Sequence, residues 1–441
     1  RKNNSIILIL HENEVWMDSQ LSATFIAILR EELFPALGCT EPISIALAAA
    51  KAREVLGVEP VSIVVRCSGN LIKNAKSVFV PNTGGLKGIA ASAIAGMIAG
   101  DSSRGMQVLA ALTDADRARI ALLLGKNICS TKILEGEDGL HIILTMRAQN
   151  GDSSLVEIIH THTNISRVER NGETLFFRDF AGTDYKAALT DRSGLSIERI
   201  FDFARAADME PLNDLIAMQI ECNKAIAAEG LRNTYGLNIG NAVLEVYGDS
   251  VWARIRANAA AGSDARMNGC GMPVVINSGS GNQGMTASLP LILYAESMGS
   301  GKDTLYRALV LSNLVTIRIK AEIGRMSAYC GAISASAGAA AGITYLAGGT
   351  LAQIEAAIVN TLSDVSGIVC DGAKASCAAK IATGIDAAIL AHHLAMRGKV
   401  YESGAGLVKD SVEKTIDAIG RLGHVGMKET DAEILRIMLA D

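Results

Sequence analysis

At 441 residues the chain is long enough for two or three domains, and 49% hydrophobic content can fill their cores. Aromatics make up only 4% while alanine and glycine abound, which favours helices packed through small residues over a β-sandwich. A formal net charge of -5 without basic runs argues against nucleic acid or a membrane surface as partner, and no stretch approaches the roughly 20 apolar residues of a bilayer span.

Residues 1–20 read as an N-terminal extension. The run Ile6 to Leu10 is too short to cross a bilayer, no small-residue cleavage pattern of a signal peptide follows it, and Met17 is the expected true start. A cytoplasmic location is therefore expected.

Leu21 to Leu33 has the pattern of an amphipathic helix closed by Phe34-Pro35. A second helix is expected from Ile43 to Leu56, stopped by Gly57. Strands are expected at Val61 to Cys67 and Ser77 to Val80, then helices at Leu86 to Ala99 and Gln107 to Leu124. His141 to Arg147, Leu155 to Thr163 and Ser166 to Glu169 read as antiparallel strands, with an Asn171-Gly172 turn leading into Thr174 to Phe177. Beyond Ser196 the patterns are helical: Ile197 to Ala207, Asp214 to Glu229, Thr286 to Ser297, Lys302 to Ile323, Gly331 to Leu346, Leu351 to Leu362, Ala373 to Met396 and Lys409 to Leu422. The expected class is α+β. An α+β domain with a small antiparallel sheet covers 21–190, and a mainly helical domain covers 191–441.

In a reducing compartment structural disulfides are disfavoured, so the eight cysteines are weighed as metal ligands, catalytic groups or inert buried thiols. Cys67, Cys129, Cys222 and Cys270 have no companion pattern and read as buried thiols. Cys330, Cys370 and Cys377 flank a glycine-rich helical stretch. On one straight helix Cys370 and Cys377 would stand about 10 Å apart. Gly372 permits a turn instead, so that Cys330 and Cys377 sit at helix starts whose dipoles favour an anionic cluster. Three thiolates with an open position also suit zinc, and three buried cysteines in Ala/Gly-rich helices explain the pattern as well.

Cys39 precedes Thr40, Glu41 and Pro42, a good helix start. The positive helix end is expected to lower its pKa and make it a base or nucleophile, with a packed turn residue as the plain reading. Asn277 to Gly284 is a glycine- and amide-rich loop before a helix. Ser278, Ser280, Asn282 and Gln283 are its candidate substrate-binding residues, since free N–H groups there can hold a carboxylate. Asn70 and Lys73, in the polar run with Ser68, Gly69 and Asn74, are further candidates, against the plainer reading of a solvated loop. His160 and His162 share one face of an expected strand, a spacing compatible with metal but more simply a packed or solvated face.

Together these motifs resemble the L-cysteine desulfidase family, whose helical part is similar to the iron-sulfur serine dehydratase alpha chain. The resemblance covers nearly the whole chain after about Ser22. It rests on Gly38-Cys39-Thr40-Glu41-Pro42, Ser278 to Gly284, Tyr329-Cys330-Gly331, and Cys370-Asp371-Gly372-Ala373-Lys374 followed by Cys377. It implies a [4Fe-4S] cluster on Cys330, Cys370 and Cys377, with Cys39 as catalytic base. One iron would lack a cysteine, so cluster loss is expected on aerobic purification. Serine dehydratases can carry a capping C-terminal cysteine, whereas this chain ends Leu439-Ala440-Asp441, which favours the desulfidase branch.

The implied reaction is β-elimination of L-cysteine to pyruvate, ammonia and sulfide. The alternatives are dehydration of L-serine by the same cluster, a pyridoxal phosphate lyase, and an iron-sulfur or zinc binding protein without turnover. No basic helix-turn-helix supports a DNA-binding sensor. The expected ligand is a small amino acid, and the expected assembly is a homodimer.

Overall fold

The computed structural model describes residues 19–135, 139–179 and 189–440. Of the expected extension over 1–20, residues 1–18, including Ile6 to Leu10 and Met17, lie outside the described residues. The other two begin helix α1 (Ser19–Glu32).

A short strand, β1 (Pro35–Leu37), separates α1 from α2 (Thr40–Leu56). Gly57 ends α2 in the left-handed conformation (φ 79°) and returns its N–H to the Arg53 carbonyl, as a C-terminal glycine does. Then come β2 (Pro60–Ser68), α3 (Gly69–Ala75), α4 (Gly88–Ala99) and α5 (Asp114–Gly125). The run 68–74 that reads as a solvated loop is thus largely helix. The strand expected at Ser77 to Val80 is reduced to one bridge between Phe79 and Lys87. The helix expected from Gln107 begins only at Asp114, because Thr113 and Asp116 cap each other's backbone N–H there.

Strands β3 (Cys129–Leu134), β4 (His141–Ala148), β5 (Ser153–Ile159), β6 (Ile165–Arg170) and β7 (Glu173–Phe177) complete a six-stranded sheet in the order β3-β2-β4-β5-β6-β7. The pairing is antiparallel except between β2 and β3, so the expected antiparallel sheet gains one parallel edge strand. The Asn171-Gly172 turn joins β6 to β7 with both residues at positive φ, as its sequence predicts. Helices α2 and α4 cover one face of the sheet.

The rest is helical: α6 (Ile197–Ala206), α7 (Asn213–Arg232), α8 (Ile239–Tyr247), α9 (Val251–Met267), then a short β8 (Pro273–Val275). After it come α10 (Gly281–Met298), α11 (Lys302–Ile323), α12 (Gly331–Leu346), α13 (Leu351–Val365), α14 (Cys377–Met396), α15 (Val412–Arg421) and α16 (Lys428–Ala440). Helix α12 is built almost wholly from Ala, Gly and Ser and is the hub. It packs on α10, α11, α13 and α14, an approach that small side chains permit. Among the described residues no helix is long and apolar enough to cross a membrane.

Pairing crosses residue 190. Antiparallel β1 and β8 tie Pro35 to Val275 and Leu37 to Pro273, just ahead of the starts of α2 and α10. These two helix starts are where the site forms.

Candidate active site

Backbone pairing brings the cysteines together. Tyr329 bridges Val369, Cys330 N–H donates to the Ile368 carbonyl (3.2 Å), and Cys370 N–H donates to the Ala328 carbonyl (2.6 Å). Cys330 thus stands at the N-cap of α12 with Cys370 beside it. Gly372 turns the chain at φ +98°, and a Cβ there would come within 2.3 Å of the Lys73 carbonyl oxygen, so both the turn and the packing demand glycine. Cys377 is the first residue of α14, four residues later than the expected helix start at Ala373.

Cys39 stands at the N-cap of α2 and packs in a small apolar cluster with Val78, Met267, Ala373 and Cys377. All four cysteines line one cavity of about 100 Å³. Ser278, Ser280, Asn282 and Gln283 line it too. The loop before α10 is a tight turn with Ser278 at φ 50° and Gly279 at φ 82°, closed by hydrogen bonds in both directions between Asn277 and Ser280. A buried amide network fixes it from below: Asn277 Nδ2 donates to Asn313 Oδ1 (2.9 Å), and Asn313 Nδ2 to Gln219 Oε1 (2.9 Å). Thr40 Oγ1 donates to the Gly279 carbonyl (2.9 Å), pinning the turn to the start of α2.

The Cys39 thiol donates to Glu41 Oε2 across 3.0 Å. The other oxygen, Oε1, accepts from Asn74 Nδ2 (3.0 Å) and lies 3.8 Å from His162 Nε2. Burial pushes the Cys39 thiol well up, and the Glu41 carboxylate pushes it further, while Arg266 opposes. The helix-start expectation of a lowered thiol pKa is therefore overturned, because loss of solvent outweighs the helix end. For Glu41 burial is the largest influence and would raise its pKa. The opposing pull of His162 and of the Cys39 thiol prevails and holds the carboxyl well below its usual range. At neutral pH the pair is thiol and carboxylate.

Two buried cations flank the thiols. Arg266, from α9, is 2% exposed; burial lowers its pKa, against the pull of Cys39, Glu41 and Cys377. Lys320, from α11, is pushed down to about 8 by burial, against the pull of Cys370 and Cys330. Burial also raises the thiol pKa of Cys330, to about 12, and that of Cys377.

Asn70 and Lys73 lie elsewhere. They line a neighbouring cavity of about 470 Å³ beneath α16, where Lys73 is ion-paired with Asp431. The expectation that His160 and His162 share a strand face fails, because β5 stops at Ile159 and His160 adopts φ +67° in the following turn. That turn buries His162 in the site, its carbonyl held by Ser44 Oγ (2.7 Å). Sequence reasoning missed His162, Arg266 and Lys320 as site residues. No local signal singles out Arg266, because the run 251–267 also carries Arg254, Arg256 and Asp264.

Among the described residues no three His, Cys, Asp or Glu side chains are close enough to hold a single metal ion, which leaves the zinc reading without a ligand set. A four-iron cluster puts each thiolate on a different iron and so spreads its ligands wider. The donor set here fits such a group: three cysteines lining one cavity, two of them at helix starts, with the buried cations Arg266 and Lys320 alongside.

Comparison with known proteins gives the family. Residues 103–436 match the family described as serine dehydratase alpha chain. The chain is 54% identical to a UPF0597 protein of Lachnoclostridium phytofermentans, over 94% of this chain and 99% of that protein. UPF0597 proteins of Desulfitobacterium hafniense and Treponema denticola are 50% and 45% identical, over 94% and 96% of this chain and 96% and 100% of theirs. The chain belongs to the serine dehydratase alpha chain family.

Proposed function

We propose that this serine dehydratase alpha chain family member is a lyase that eliminates sulfide from L-cysteine, giving pyruvate, ammonia and sulfide with a [4Fe-4S] cluster. The observation that carries the reading is that the Cys39–Glu41 pair and Cys330, Cys370 and Cys377 line one small cavity. A base and a candidate cluster site are thus within reach of one small substrate. When bound to Cys330, Cys370 and Cys377, the cluster would supply a Lewis acid with one open iron position, suited to a soft thiolate leaving group.

The chain's own residues would do the rest. Cys39 takes the Cα proton of the substrate as general base. Its sulfur begins protonated, so the thiol proton must pass on, and Glu41 Oε2 is the acceptor in contact at 3.0 Å. Asn74 and His162 keep Glu41 aimed through its other oxygen. Loss of the Cα proton and of the Cβ–S bond leaves aminoacrylate. After release it tautomerises and takes up water, giving pyruvate and ammonia.

L-Serine dehydration on the same residues is the second reading, favoured by the family match itself. One anaerobic, iron- and sulfide-reconstituted preparation separates the two. Sulfide release from L-cysteine is expected to exceed pyruvate release from L-serine in kcat/KM, and the reverse order would assign the protein to serine.

A further inference from the structure

The cavity walls carry buried polar atoms with no hydrogen-bond partner, and these atoms separate by polarity. Arg266 Nε is a donor without an acceptor, whereas Asn74 Oδ1, Asn282 Oδ1 and Gln283 Oε1 are acceptors without donors. All four residues line the cavity that holds Cys39 and the three clustered cysteines, and His162, whose Nε2 is also without a hydrogen-bond partner, lines it too. Leaving such atoms bare is costly, so their coincidence in one place marks a ligand's seat rather than a packing fault.

Their chemistry fits the two ends of one molecule. The guanidinium of Arg266 lies against the first residue of α10, with Nε 2.4 Å from where a Cβ on Gly281 would sit. The N–H groups of the first turn of this 18-residue helix and the guanidinium therefore share one anion-favouring corner. The three amide oxygens accept hydrogen bonds only, which suits an ammonium group with three N–H donors.

We infer that Arg266, with the first turn of α10, seats the substrate carboxylate, and that the side-chain oxygens of Asn282, Gln283 and Asn74 receive its ammonium group. The inference deepens the amino-acid lyase reading and rests on it for the identity of the substrate. It makes Arg266 a specificity-determining residue: a free α-carboxylate is required, and amides and simple amines are rejected. Sites built to bond a polar group reject analogues lacking it strongly, because their own buried atoms are left unpaired.

The test measures binding without turnover. L-Alanine has no β leaving group, L-alaninamide lacks the carboxylate charge and propionate lacks the ammonium. Each is titrated calorimetrically into anaerobic, cluster-reconstituted protein. L-Alanine should bind the unmodified protein at least about tenfold more tightly than either analogue. Arg266→Met should reduce L-alanine affinity to the L-alaninamide level without changing L-alaninamide affinity, and Arg266→Lys should restore part of the loss. Asn282→Leu should weaken L-alanine but not propionate. Equal affinity of the unmodified protein for L-alanine and L-alaninamide would overturn the inference, whether or not the variants fold. So would an equal loss for both ligands in Arg266→Met. Neither result depends on whether L-cysteine or L-serine is turned over, so failure here is distinct from failure of the lyase reading.

Discussion

The Cys39 thiol and the Glu41 carboxylate, two residues apart at the start of α2, form a buried hydrogen bond of 3.0 Å in which each group shifts the other's proton affinity. Thr40 between them leaves the backbone geometry of a helix start, where a residue at the cap and one in the first turn face the same side. On the proposed reading the pair is a base with its own proton acceptor attached.

Replacing Glu41 with Gln keeps the shape and removes the acceptor. Turnover of L-cysteine by reconstituted Glu41→Gln protein should fall by roughly 10²–10⁴-fold, the usual contribution of a positioned acid-base group. Sulfide release under saturating substrate measures it. Iron content should match the unmodified protein, since Glu41 faces Cys39 rather than the clustered cysteines. A Glu41→Gln enzyme with undiminished kcat would remove the carboxylate from the proton path.

Gly372 holds the Cys370 turn at φ +98° against the Lys73 carbonyl. Gly372→Ala adds a Cβ to a conformation that L-residues adopt at a cost and places it 2.3 Å from that oxygen. Stability by urea unfolding should drop by about 1–3 kcal/mol, and bound iron per chain should fall as Cys370 moves. Unchanged iron content would show that the turn does not set the position of Cys370.

His392 gives the pH dependence of folding. Its Nδ1 bonds Thr344 Oγ1 (3.0 Å); the Thr344 hydroxyl donates to the Ala340 carbonyl (2.8 Å), so the ring must be the donor. Burial, aided by His393, pushes its pKa down to about 4. Between the ordinary value near 6.5 and about 4 the unfolded chain binds a proton that the folded one refuses, so this contribution is complete above the upper value and is lost as pH falls. From pH 7.5 to 5.0 the protein should lose about 2 kcal/mol more stability than His392→Asn, measured by urea unfolding at both pH values. Parallel losses in the two proteins would show that His392 is not the titrating group.

Much of the helical half was legible because glycine and small-residue boundaries punctuate it. Lys302 to Ile323 and Gly331 to Leu346 coincide with α11 and α12 end to end. Helix α9 escaped notice because nearly every position from Ala257 to Met267 is buried, which erases the apolar-polar alternation that betrays a surface helix. Cys39, Cys330, Cys370 and Cys377 were visible as motifs, Cys39 and Cys330 each beside a glycine and Cys370 two residues before one. Arg266 and His162 carry no local pattern, and tertiary packing alone brings α9 and the turn after β5 to Cys39. The protonation of Cys39 was misread for the same reason: a helix start is a local feature, whereas burial belongs to the whole fold.

The central claim is that Cys39 serves as the base facing a cluster held by the other three cysteines. The most direct measurement compares sulfide and pyruvate release from L-cysteine by anaerobically reconstituted unmodified and Cys39→Ala proteins, matched in iron and acid-labile sulfide per chain. The account predicts equal cluster content and visible absorption, equimolar sulfide and pyruvate from the unmodified protein, and no detectable turnover by Cys39→Ala. Full activity in a cluster-replete Cys39→Ala protein, or in unmodified protein stripped of iron, would contradict it.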